Sequence, residues 1–405
     1  MHLEFKNKRV LVRVDFNVPL NEEHEITDNT RILKALPTIE KLRSEGARVI
    51  LMSHLGRPQK KRLENGEIDV DKFTLRHLVK PLSEILGTQV QFADDCISGE
   101  AILKSEQLQP SEVLLVENTR FYKEESKGDI EFAVKLAKLG DLYVNDAFGT
   151  AHRAHASTTI VANYFKADEK CFGYLLTAEI ENADKVLKSP KRPCTAILGG
   201  AKVSDKIQLI ERLIDFANNI IIGGGMTFTF IKAQGGNVGN SLCEDDYVDL
   251  AKELLAKAKD QGVDIHIPED TVAADQFSND ANTMLVDTMK IPENYMGLDI
   301  GPKAIESFSD VIKESQTIIW NGPVGVFEME NFSKGSFAIA QSIADATSEG
   351  AFSLIGGGDS VSAINKSGLS DQVSFISTGG GAMLEYLEGK QLPAIKAMLS
   401  EAESE

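Results

Sequence analysis

The sequence contains few cysteines, and none of them is placed for a metal site or a disulfide framework. There are four, at Cys96, Cys171, Cys194 and Cys243, with no CxxC pair among them. Widely separated thiols without a metal-ligand spacing are typical of proteins from a reducing compartment. We therefore expect free thiols and a location in the cytoplasm.

Long apolar segments are missing as well. No run approaches the roughly 20 apolar residues that a membrane-spanning helix needs. The first ten residues, MHLEFKNKRV, lack the apolar centre of a secretory signal. Both absences predict a soluble protein that is not exported. A chain of 405 residues exceeds one ordinary hydrophobic core, so two domains are expected.

Positive charge is scarce in this chain. Its 43 lysines and arginines face 61 aspartates and glutamates, which gives a formal net charge of −18 at pH 7. Nucleic acids and acidic membrane surfaces bind basic footprints, so neither is an expected partner. A small anion can still be bound if a few cations gather at one place. No surface feature marks an oligomer, and a monomer is expected.

Two common nucleotide-binding patterns are also absent. No segment fits GxxxxGK[ST], and none fits GxGxxG after a strand and before a helix. A P-loop nucleotide hydrolase and a standard dinucleotide-dependent dehydrogenase are therefore disfavoured.

What the chain does contain is a repeated alternation of short apolar runs with helix-like stretches. The strand candidates are RVLVRV (9–14), ARVILMS (47–53), EVLLVE (112–117), DLYVND (141–146), CTAILG (194–199), NNIIIG (218–223), DIHIP (264–268), TIIWN (317–321), AFSLIG (351–356) and VSFIS (373–377). Amphipathic stretches such as TRILKALPTIEKLRSEG and DYVDLAKELLAKAKDQG fit helices between them. Such alternation is typical of parallel sheets with helices on both faces.

The predicted fold class is therefore α/β, with two Rossmann-like three-layer α/β/α domains whose sheets are mainly parallel. The boundary is expected near 170–192, where the helical segment TAEIENADKVLKS leads into the polar stretch PKRP. The basic stretch QKKR (59–62), followed by ENGE, predicts an exposed loop, and the acidic end EAESE predicts a solvated tail.

The first half of the chain delivers cations and polar groups to its predicted strand ends. In open parallel sheets, ligands bind beyond the carboxyl ends of the strands. The side chains expected there are Asp15, Phe16 and Asn17, then His54, Leu55, Gly56 and Arg57, then Asn118, Thr119 and Arg120, then His152, Arg153 and His155, with Arg13 ending the first strand and Arg31 beginning a helix. The arginine fork suits carboxylate and phosphate oxygens.

This pattern favours a small-anion site over the alternative of unconnected surface ion pairs. A metal bound by His152 and His155 is a further alternative, but Arg153 between them would repel a cation. We expect those histidines to be structural or to donate hydrogen bonds while neutral.

The second half delivers glycine to its strand ends instead. The loops are GGAKVSDK (199–206), GGGMTF (223–228), NGPVGVFE (321–328), GGGDS (356–360) and TGGGAMLE (378–385). Glycine lets the backbone approach a ligand, and a glycine loop that feeds a helix places N–H groups and the positive helix end at an anion. Five such loops after apolar strands predict phosphate binding.

Four further side chains stand out in these loops. Lys202 and Lys206 are four residues apart, so on a helix they would share one face. Asp359 is the best candidate for a Mg²⁺ ligand, because it is a carboxylate beside a predicted phosphate loop. Glu328 could accept hydrogen bonds from ribose hydroxyls. An ordinary surface role for Glu328 and a helix-capping role for Ser360 remain open.

Together these segments closely resemble the phosphoglycerate kinase family over essentially the whole chain. The strings that carry the resemblance are RVDFNVP (13–19), SHLGRP (53–58), ENTRF (117–121), NDAFGTAHRAHAS (145–157), LGGAKVSDKIQLI (198–210), GGGMTFTF (223–230), MGLDIGP (296–302), WNGPVGVFE (320–328), GGGDS (356–360) and STGGGAMLE (377–385). One departure is Ser360, where many members have threonine, and it keeps the hydroxyl.

The resemblance implies residue roles on each domain. Arg13, Asp15, Phe16, Asn17, Arg31, His54, Leu55, Gly56, Arg57, Arg120 and Arg153 would bind 3-phosphoglycerate or 1,3-bisphosphoglycerate. Lys206, Gly297, Asn321, Glu328, Gly357, Gly358, Asp359 and Ser360 would bind ATP or ADP, with Asp359 on Mg²⁺. Arg31, Lys202, Gly379 and Gly380 would act on the transferred phosphoryl group.

The resemblance also implies a domain order and a motion. Residues 1–172 would form the substrate domain and residues 173–388 the nucleotide domain, including a hinge helix, while residues 389–405 would return to the first domain. Transfer would be in line and would follow hinge closure. Two other classes remain open at this point: a binding protein without chemistry, and either a kinase for another acid or a nucleotide-dependent oxidoreductase.

Overall fold

The computed structural model describes residues 1–400, so the predicted solvated tail, EAESE, lies outside the described residues. The chain divides into two compact units. The first is Met1–Ile180 together with Gln391–Glu405, and the second is Glu181–Lys390. The first division lies inside a helix, Tyr174–Leu187. The limits predicted from the sequence, after residues 172 and 388, stay predictions.

The first unit is built on one sheet of six parallel strands. Its order is β3-β4-β2-β1-β5-β6, with β1 Arg9–Arg13, β2 Arg48–Met52, β3 Val90–Ala93, β4 Val113–Val116, β5 Leu142–Asn145 and β6 Lys170–Phe172. The helices are α1 Thr30–Ser44, α2 Val70–Phe73, α3 Val79–Leu86, α4 Gly99–Gln107, α5 Lys123–Lys127, α6 Ile130–Ala137 and α15 Pro393–Leu399, and α7 Tyr174–Leu187 begins in this unit. Short 3₁₀ helices lie at Leu75–Leu78, Thr119–Phe121, Phe148–Thr150 and Ile160–Tyr164.

Both faces of this sheet are buried, because successive side chains of a strand point to opposite faces. Val10 and Val12 of β1 pack in one core with Ile32 of α1. Leu11, between them, packs in a second core with Phe132 of α6. This arrangement explains why strands such as β2 and β4 are largely apolar rather than alternating.

The second unit is also built on a six-stranded parallel sheet. Its order is β10-β8-β7-β15-β16-β17, with β7 Cys194–Leu198, β8 Asn219–Ile222, β10 Asp264–His266, β15 Thr317–Asn321, β16 Phe352–Ile355 and β17 Phe375–Ile376. Its helices are α8 Ile207–Ile214, α9 Thr227–Ala233, α10 Val248–Gln261, α11 Pro302–Lys313, α12 Lys334–Ser348, α13 Gly358–Ser367 and α14 Gly381–Leu387. Short 3₁₀ helices lie at Asp245–Tyr247, Glu330–Phe332 and Ser370–Gln372.

Two small sheets complete the second unit. One is antiparallel, in the order β12-β11-β14, with β11 Asp270–Ala274, β12 Thr283–Asp287 and β14 Met296–Ile300. The other pairs β9, Asn237–Val238, with β13, Lys290–Ile291. Strand β12 is largely exposed, and its apolar run of three residues is shorter than the runs that mark a buried strand.

The predicted α/β class with mainly parallel Rossmann-like sheets is confirmed, and all ten predicted strands are present. The expectation that Lys202 and Lys206 share a helical face is wrong, because helix α8 begins only at Ile207. The stretch before it is bound elsewhere: the Ser204 amide and hydroxyl donate to the Glu244 carboxylate at 3.0 and 2.6 Å. Within residues 1–400, no helix is long and apolar enough to cross a membrane.

Candidate active site

A cleft of about 770 Å³ opens in the first unit at the carboxyl ends of β1, β2, β4 and β5. Its lining includes ten of the residues that were singled out from the sequence: Asp15, Asn17, Arg31, His54, Gly56, Arg57, Arg120, His152, Arg153 and His155. We call this the anion cleft. Side chains that are far apart in the sequence meet here because parallel strands bring their carboxyl ends to one edge.

Polar contacts inside the cleft hold its cations and its loop in place. Arg31 donates to the Asp15 carboxylate. Asn17 Oδ1 accepts from the Gly56 amide at 2.7 Å, and Arg120 Nη1 donates to the Gly56 carbonyl at 2.9 Å. Burial lowers the pKa of Arg120 to about 10, and neighbouring Arg13 adds to this effect. Arg120 therefore remains charged near pH 7.

Three predicted substrate residues do not line the cleft. Arg13, Phe16 and Leu55 are buried. Arg13 donates from Nε to Ser157 Oγ at 2.7 Å, and also donates to the Val14 carbonyl. The side chains of Phe16 and Leu55 pack in the core on one face of the sheet. In this structure these three residues shape the cleft from beneath.

Two of the three histidines that line the cleft, His54 and His155, are uncharged at neutral pH. Burial, followed by the charge of Arg120, holds the pKa of His54 well below its usual value. The same causes, in the same order, lower the pKa of His155 to about 3. A neutral imidazole carries one N–H donor and one acceptor. Each ring can therefore offer one hydrogen bond to an anion without adding charge.

Sequence reasoning missed several cations of this cleft. Lys60, Lys61, Lys123 and Lys127 belong to its lining. The first two lie in the stretch QKKR, which the sequence predicted only as an exposed loop. A basic run in a loop is usually solvated, so only the fold shows that this one borders the cleft. Asn118 is buried beneath it, and its Nδ2 donates to the Leu55 carbonyl at 2.9 Å.

A second cleft, of about 440 Å³, lies in the second unit beyond β7, β8 and β15 and beside β14. We call it the nucleotide cleft, after the ligand that the sequence predicts for its loops. Its backbone walls come from three of the predicted glycine loops, through Gly200, Gly224, Gly225 and Gly325. The loops are bound to one another, since the Gly200 amide donates to the Pro323 carbonyl at 3.1 Å.

Three predicted nucleotide residues, Gly297, Glu328 and Asp359, line this cleft. Gly297 lies on β14, where a Cβ atom would stand 2.2 Å from the Phe228 ring. No larger residue fits there without displacing that ring. Sequence reasoning missed the apolar side chains of the lining, among them Leu242, Phe277 and Met296. Leu242 and Phe277 are exposed despite being large and apolar, so they offer a surface for a flat apolar group.

Lys206 and Asn321 form a polar pair at the ends of α8 and β15. Lys206 Nζ donates to Asn321 Oδ1. Burial lowers the pKa of Lys206, while Asp205, Glu388 and Asp359 oppose that shift. A half-buried lysine whose partner is a neutral amide can still attract phosphate oxygens.

Helix α13 begins directly after Gly357, whose φ of +88° favours glycine. Gly358 and Asp359 form its first turn. Amide groups at a helix start, with the helix dipole behind them, suit a phosphate. Ser360 is buried and its Oγ accepts from the Gly322 amide at 2.5 Å, so its hydroxyl secures the loop after β15 rather than capping the helix.

The remaining predicted catalytic positions lie outside the lining of either cleft. Lys202 is exposed, in the stretch before α8. Gly379 and Gly380 precede α14, and the Gly379 amide donates to Ser377 Oγ at 3.0 Å. That amide would have to exchange partners in order to contact a phosphoryl group.

The nucleotide cleft also fits a magnesium ion that arrives with a nucleotide. No group of three or more potential protein ligands occurs among residues 1–400, which is the usual situation for Mg²⁺. This ion keeps several waters and binds one or two carboxylates together with substrate phosphates. Asp359, in the lining and beside the amides that begin α13, is a suitable carboxylate.

Comparisons with known proteins agree on one family. The family model described as phosphoglycerate kinase matches residues 1–390. Phosphoglycerate kinase of Porphyromonas gingivalis is 50% identical over 97% of this chain and 98% of its own length. That of Chlorobium phaeobacteroides is 52% identical over 97% of each chain.

Solved structures show the same similarity. Phosphoglycerate kinase from Coxiella burnetii matches with a TM-score of 0.87 and 41% identity, over 99% of this chain and 98% of that one. The enzyme from Pyrococcus horikoshii matches with a TM-score of 0.81 and 31% identity, over 98% and 97%. The chain therefore belongs to the phosphoglycerate kinase family, glycolytic enzymes that transfer a phosphoryl group reversibly between 1,3-bisphosphoglycerate and ADP.

Proposed function

We propose that the anion cleft binds 3-phosphoglycerate and 1,3-bisphosphoglycerate. The observation that carries this proposal is the convergence of Arg31, Arg57, Arg120 and Arg153 on one cleft of an otherwise acidic protein. The substrate is a small polyanion with a phosphate and a carboxylate, both of which suit the guanidinium fork. Arg13 contributes from beneath the cleft, through its buried contacts.

The remaining polar groups of the cleft give the substrate its orientation. Asp15 and Asn17 are already bound to Arg31 and Gly56, so they are held in fixed positions. Their oxygens can accept from the substrate hydroxyl, which a cluster of cations cannot do. His54 offers a neutral donor. Phe16 and Leu55 support the two loops from the core.

The nucleotide cleft binds ADP or ATP in this proposal. Leu242 and Phe277 give the base an apolar surface, and Glu328 accepts from the ribose hydroxyls. The phosphates lie toward the start of α13, where Gly357, Gly358 and Asp359 provide amides and a magnesium ligand. Lys206, held by Asn321, supplies positive charge at the same end. When bound, Mg²⁺ neutralises phosphate charge.

The chemistry needs no general base in this chain. The attacking group is a carboxylate or a phosphate oxygen, which is ionised near pH 7. Acceleration must therefore come from positioning and from positive charge on a loose transition state. We assign that charge to Arg31 and Lys202, and hydrogen bonds to the loop of Gly379 and Gly380. Direct in-line transfer requires contact between both ligands, so the two units are expected to close when both are bound.

We further propose that the enzyme acts as a monomer in the cytoplasm. Two observations support this proposal. All four cysteines are free thiols, as a reducing compartment requires, and the reaction needs residues of one chain only. Sedimentation at the concentration of the assay, with and without both substrates, tests the monomer.

The assignment of the two clefts predicts a separation of kinetic effects. Arg153→Ala removes a cation from the anion cleft and should raise KM for 3-phosphoglycerate about tenfold or more, with KM for ATP nearly unchanged. Glu328→Gln should raise KM for ATP by up to about tenfold and leave KM for 3-phosphoglycerate unchanged. Steady-state kinetics with each substrate varied in turn measures both.

Matched controls are available in each unit. Arg76 carries an exposed ion pair with Asp94, so Arg76→Ala should leave both constants unchanged. Glu330 is exposed two positions after Glu328, and Glu330→Gln should do the same. If Arg153→Ala instead raised KM for ATP alone, the substrate assignment would be wrong.

A further inference from the structure

Beneath the anion cleft, four buried side chains form one continuous hydrogen-bonded chain. The Glu125 carboxylate accepts from Ser157 Oγ at 2.5 Å and from the Ser157 amide at 2.9 Å. Ser157 Oγ accepts from Arg13 Nε at 2.7 Å, and Arg13 Nη2 lies 3.1 Å from His54 Nδ1. The relative exposure of each residue is 3% or less. Only His54, at one end of the chain, lines the cleft.

The direction of each hydrogen bond in this chain is determined by its chemistry. A guanidinium only donates, so Ser157 Oγ and His54 Nδ1 must both accept from Arg13. The single hydroxyl proton of Ser157 then goes to Glu125. In a neutral imidazole one nitrogen is an acceptor and the other carries the proton. His54 therefore carries its proton on Nε2, the nitrogen that remains for a ligand.

The charges in this chain also balance. Arg13 is a fully buried cation, and such a group is stable only when a counter-charge or several hydrogen bonds accompany it. Arg13 contacts Ser157, and Ser157 in turn donates to Glu125, which is a buried carboxylate. Asp15 is bound to Arg31 instead. Glu125 thus fixes the guanidinium in the position that contacts His54.

The proton position matters for an anion. An Nε2–H group donates to a phosphate or carboxylate oxygen, whereas an unprotonated Nε2 would place a lone pair against it. Burial, and after it the charges of Arg120, Arg13 and Arg31, already keep the ring neutral. Without Arg13 on Nδ1, a neutral ring can adopt either tautomer, and part of the population would repel the ligand.

We propose that Glu125, acting through Ser157 and Arg13, is a positioning residue that holds His54 in its Nε2–H tautomer, so that the anion cleft presents an uncharged donor among its arginines. This inference rests on the proposed binding of phosphoglycerate in that cleft. The tautomer itself is a property of the ligand-free protein and can be measured without any substrate.

The test is nitrogen-15 NMR on the full chain with labelled histidine, because protonated and unprotonated ring nitrogens give separate signals. The chain has seven histidines, and His54→Gln identifies the signal of His54. The wild-type protein should show His54 protonated on Nε2 alone. In Ser157→Ala, Arg13 should turn toward Glu125, and both tautomers of His54 should appear.

Kinetics then separates positioning from simple destabilisation. Ser157→Ala should raise KM for 3-phosphoglycerate about tenfold, with a smaller change in kcat, because a donor to a charged group is lost in part of the population. Ser105 is also fully buried, in helix α4 of the same unit, and its Oγ donates to the Ile102 carbonyl at 2.7 Å. Ser105→Ala should destabilise the unit without altering KM or the His54 signals.

Glu125→Gln is the second variant, which keeps the shape of the side chain and removes its charge. It should shift the His54 tautomer in the same direction as Ser157→Ala. A wild-type His54 protonated on Nδ1 would overturn the proposal even if no variant folds. So would wild-type His54 signals, or an unchanged KM, in a folded Ser157→Ala protein. Failure of the substrate assignment would appear separately, as an unchanged KM in Arg153→Ala.

Discussion

Asp299 is a single buried carboxyl group in the wall of the nucleotide cleft. Its oxygens accept from the Gly335 and Ile300 amides, each at 2.9 Å. Burial nevertheless dominates and raises the pKa of Asp299 to about 7, from an ordinary value of 3.8. The folded protein therefore binds this proton more tightly than the unfolded chain does.

This difference predicts a falling contribution to stability as the pH rises. Between about pH 4 and pH 7 the folded state holds the Asp299 proton and the unfolded state does not, so unfolding becomes easier with each step upward. The slope from this group can reach about 1.4 kcal/mol per pH unit. Above pH 7 the contribution of Asp299 to stability no longer changes with pH.

Asp299→Asn should remove that slope. We expect the difference in the free energy of unfolding, variant minus wild type, to rise from pH 5 to pH 7 and then to stay constant. Urea denaturation of both proteins at several pH values measures it. A difference that is constant over the whole range would show that Asp299 is ionised in the folded protein throughout.

At the scale of elements, helix α13 has a left-handed glycine at each end. Gly357 precedes it with φ +88°, and Gly368 follows it with φ +74°. Gly368, with ψ 16°, is in the left-handed helical region, where an alanine is strained by about 1 kcal/mol or slightly more. Gly357, with ψ 139°, is in a region that is almost restricted to glycine, so an alanine there is strained more. Only the first position lies beside the amides assigned to the nucleotide phosphates.

The two glycines provide a pair of variants. Gly357→Ala and Gly368→Ala should both lower the melting temperature, Gly357→Ala by more. Gly357→Ala should also weaken ADP binding several-fold, as calorimetric titration measures, while Gly368→Ala should leave binding unchanged. Equal ADP affinities in the two variants would show that the start of α13 does not bind the nucleotide.

Helix α15, near the end of the described chain, packs on the first unit. The Ala394 amide donates to the Ala151 carbonyl at 3.1 Å, next to the segment that carries His152 and Arg153. Lys170 Nζ is buried and donates at 2.9 Å to the carbonyls of Ala162 and Ala397. The Lys170 ammonium thus links α15 to the segment that contains Ala162.

Lys170→Met should loosen this helix. Each carbonyl loses one donor but keeps another, the Ser400 hydroxyl at Ala397 and the Phe165 amide at Ala162. The cost should therefore be about 1 kcal/mol per lost hydrogen bond, partly offset because no ammonium needs to be buried. Hydrogen exchange should become faster in residues 393–399 and around Ala151. Lys166 is largely exposed and pairs with Glu169, so Lys166→Met is the control. Unchanged exchange in Lys170→Met would mean that apolar packing alone holds α15.

The elements that could be predicted are those whose sequence shows their burial. The centres of strands β1 and β15 are apolar because both faces are covered, and the motifs that follow them mark the clefts. Strand β12 was not predicted, because its apolar run of Met284, Leu285 and Val286 is shorter than the runs that mark a strand. Lys60 and Phe277 line the clefts because loops that are distant in the sequence come together, and no local sequence pattern predicts this.

The sequence also does not show whether a predicted site residue lines the cleft or is buried beneath it. Arg13 follows the pattern of the other arginines in the sequence, yet it lies inside the unit, because it belongs to β1 itself rather than to the loop after it. A strand residue that points into a covered face is buried whatever its charge. Arg13 reaches a carboxylate, Glu125, only through Ser157, and no motif indicated that contact.

At the scale of the whole molecule, the proposed reaction requires the ligands of both units to meet. We expect the radius of gyration to fall when 3-phosphoglycerate and an ATP analogue are both present, and to change less with either one alone. Small-angle X-ray scattering measures this. An unchanged radius with both ligands would count against closure.

The central claim is that positive charge at the transferred phosphoryl group, and no acid–base residue, drives the reaction. The most direct measurement is kcat in a coupled assay with saturating ATP, Mg²⁺ and 3-phosphoglycerate, for Lys202→Ala beside Lys252→Ala as an exposed control from the same unit. Loss of one transition-state charge donor should lower kcat by at least about 10², while the control should match the wild type. A near-native kcat in Lys202→Ala would contradict the account.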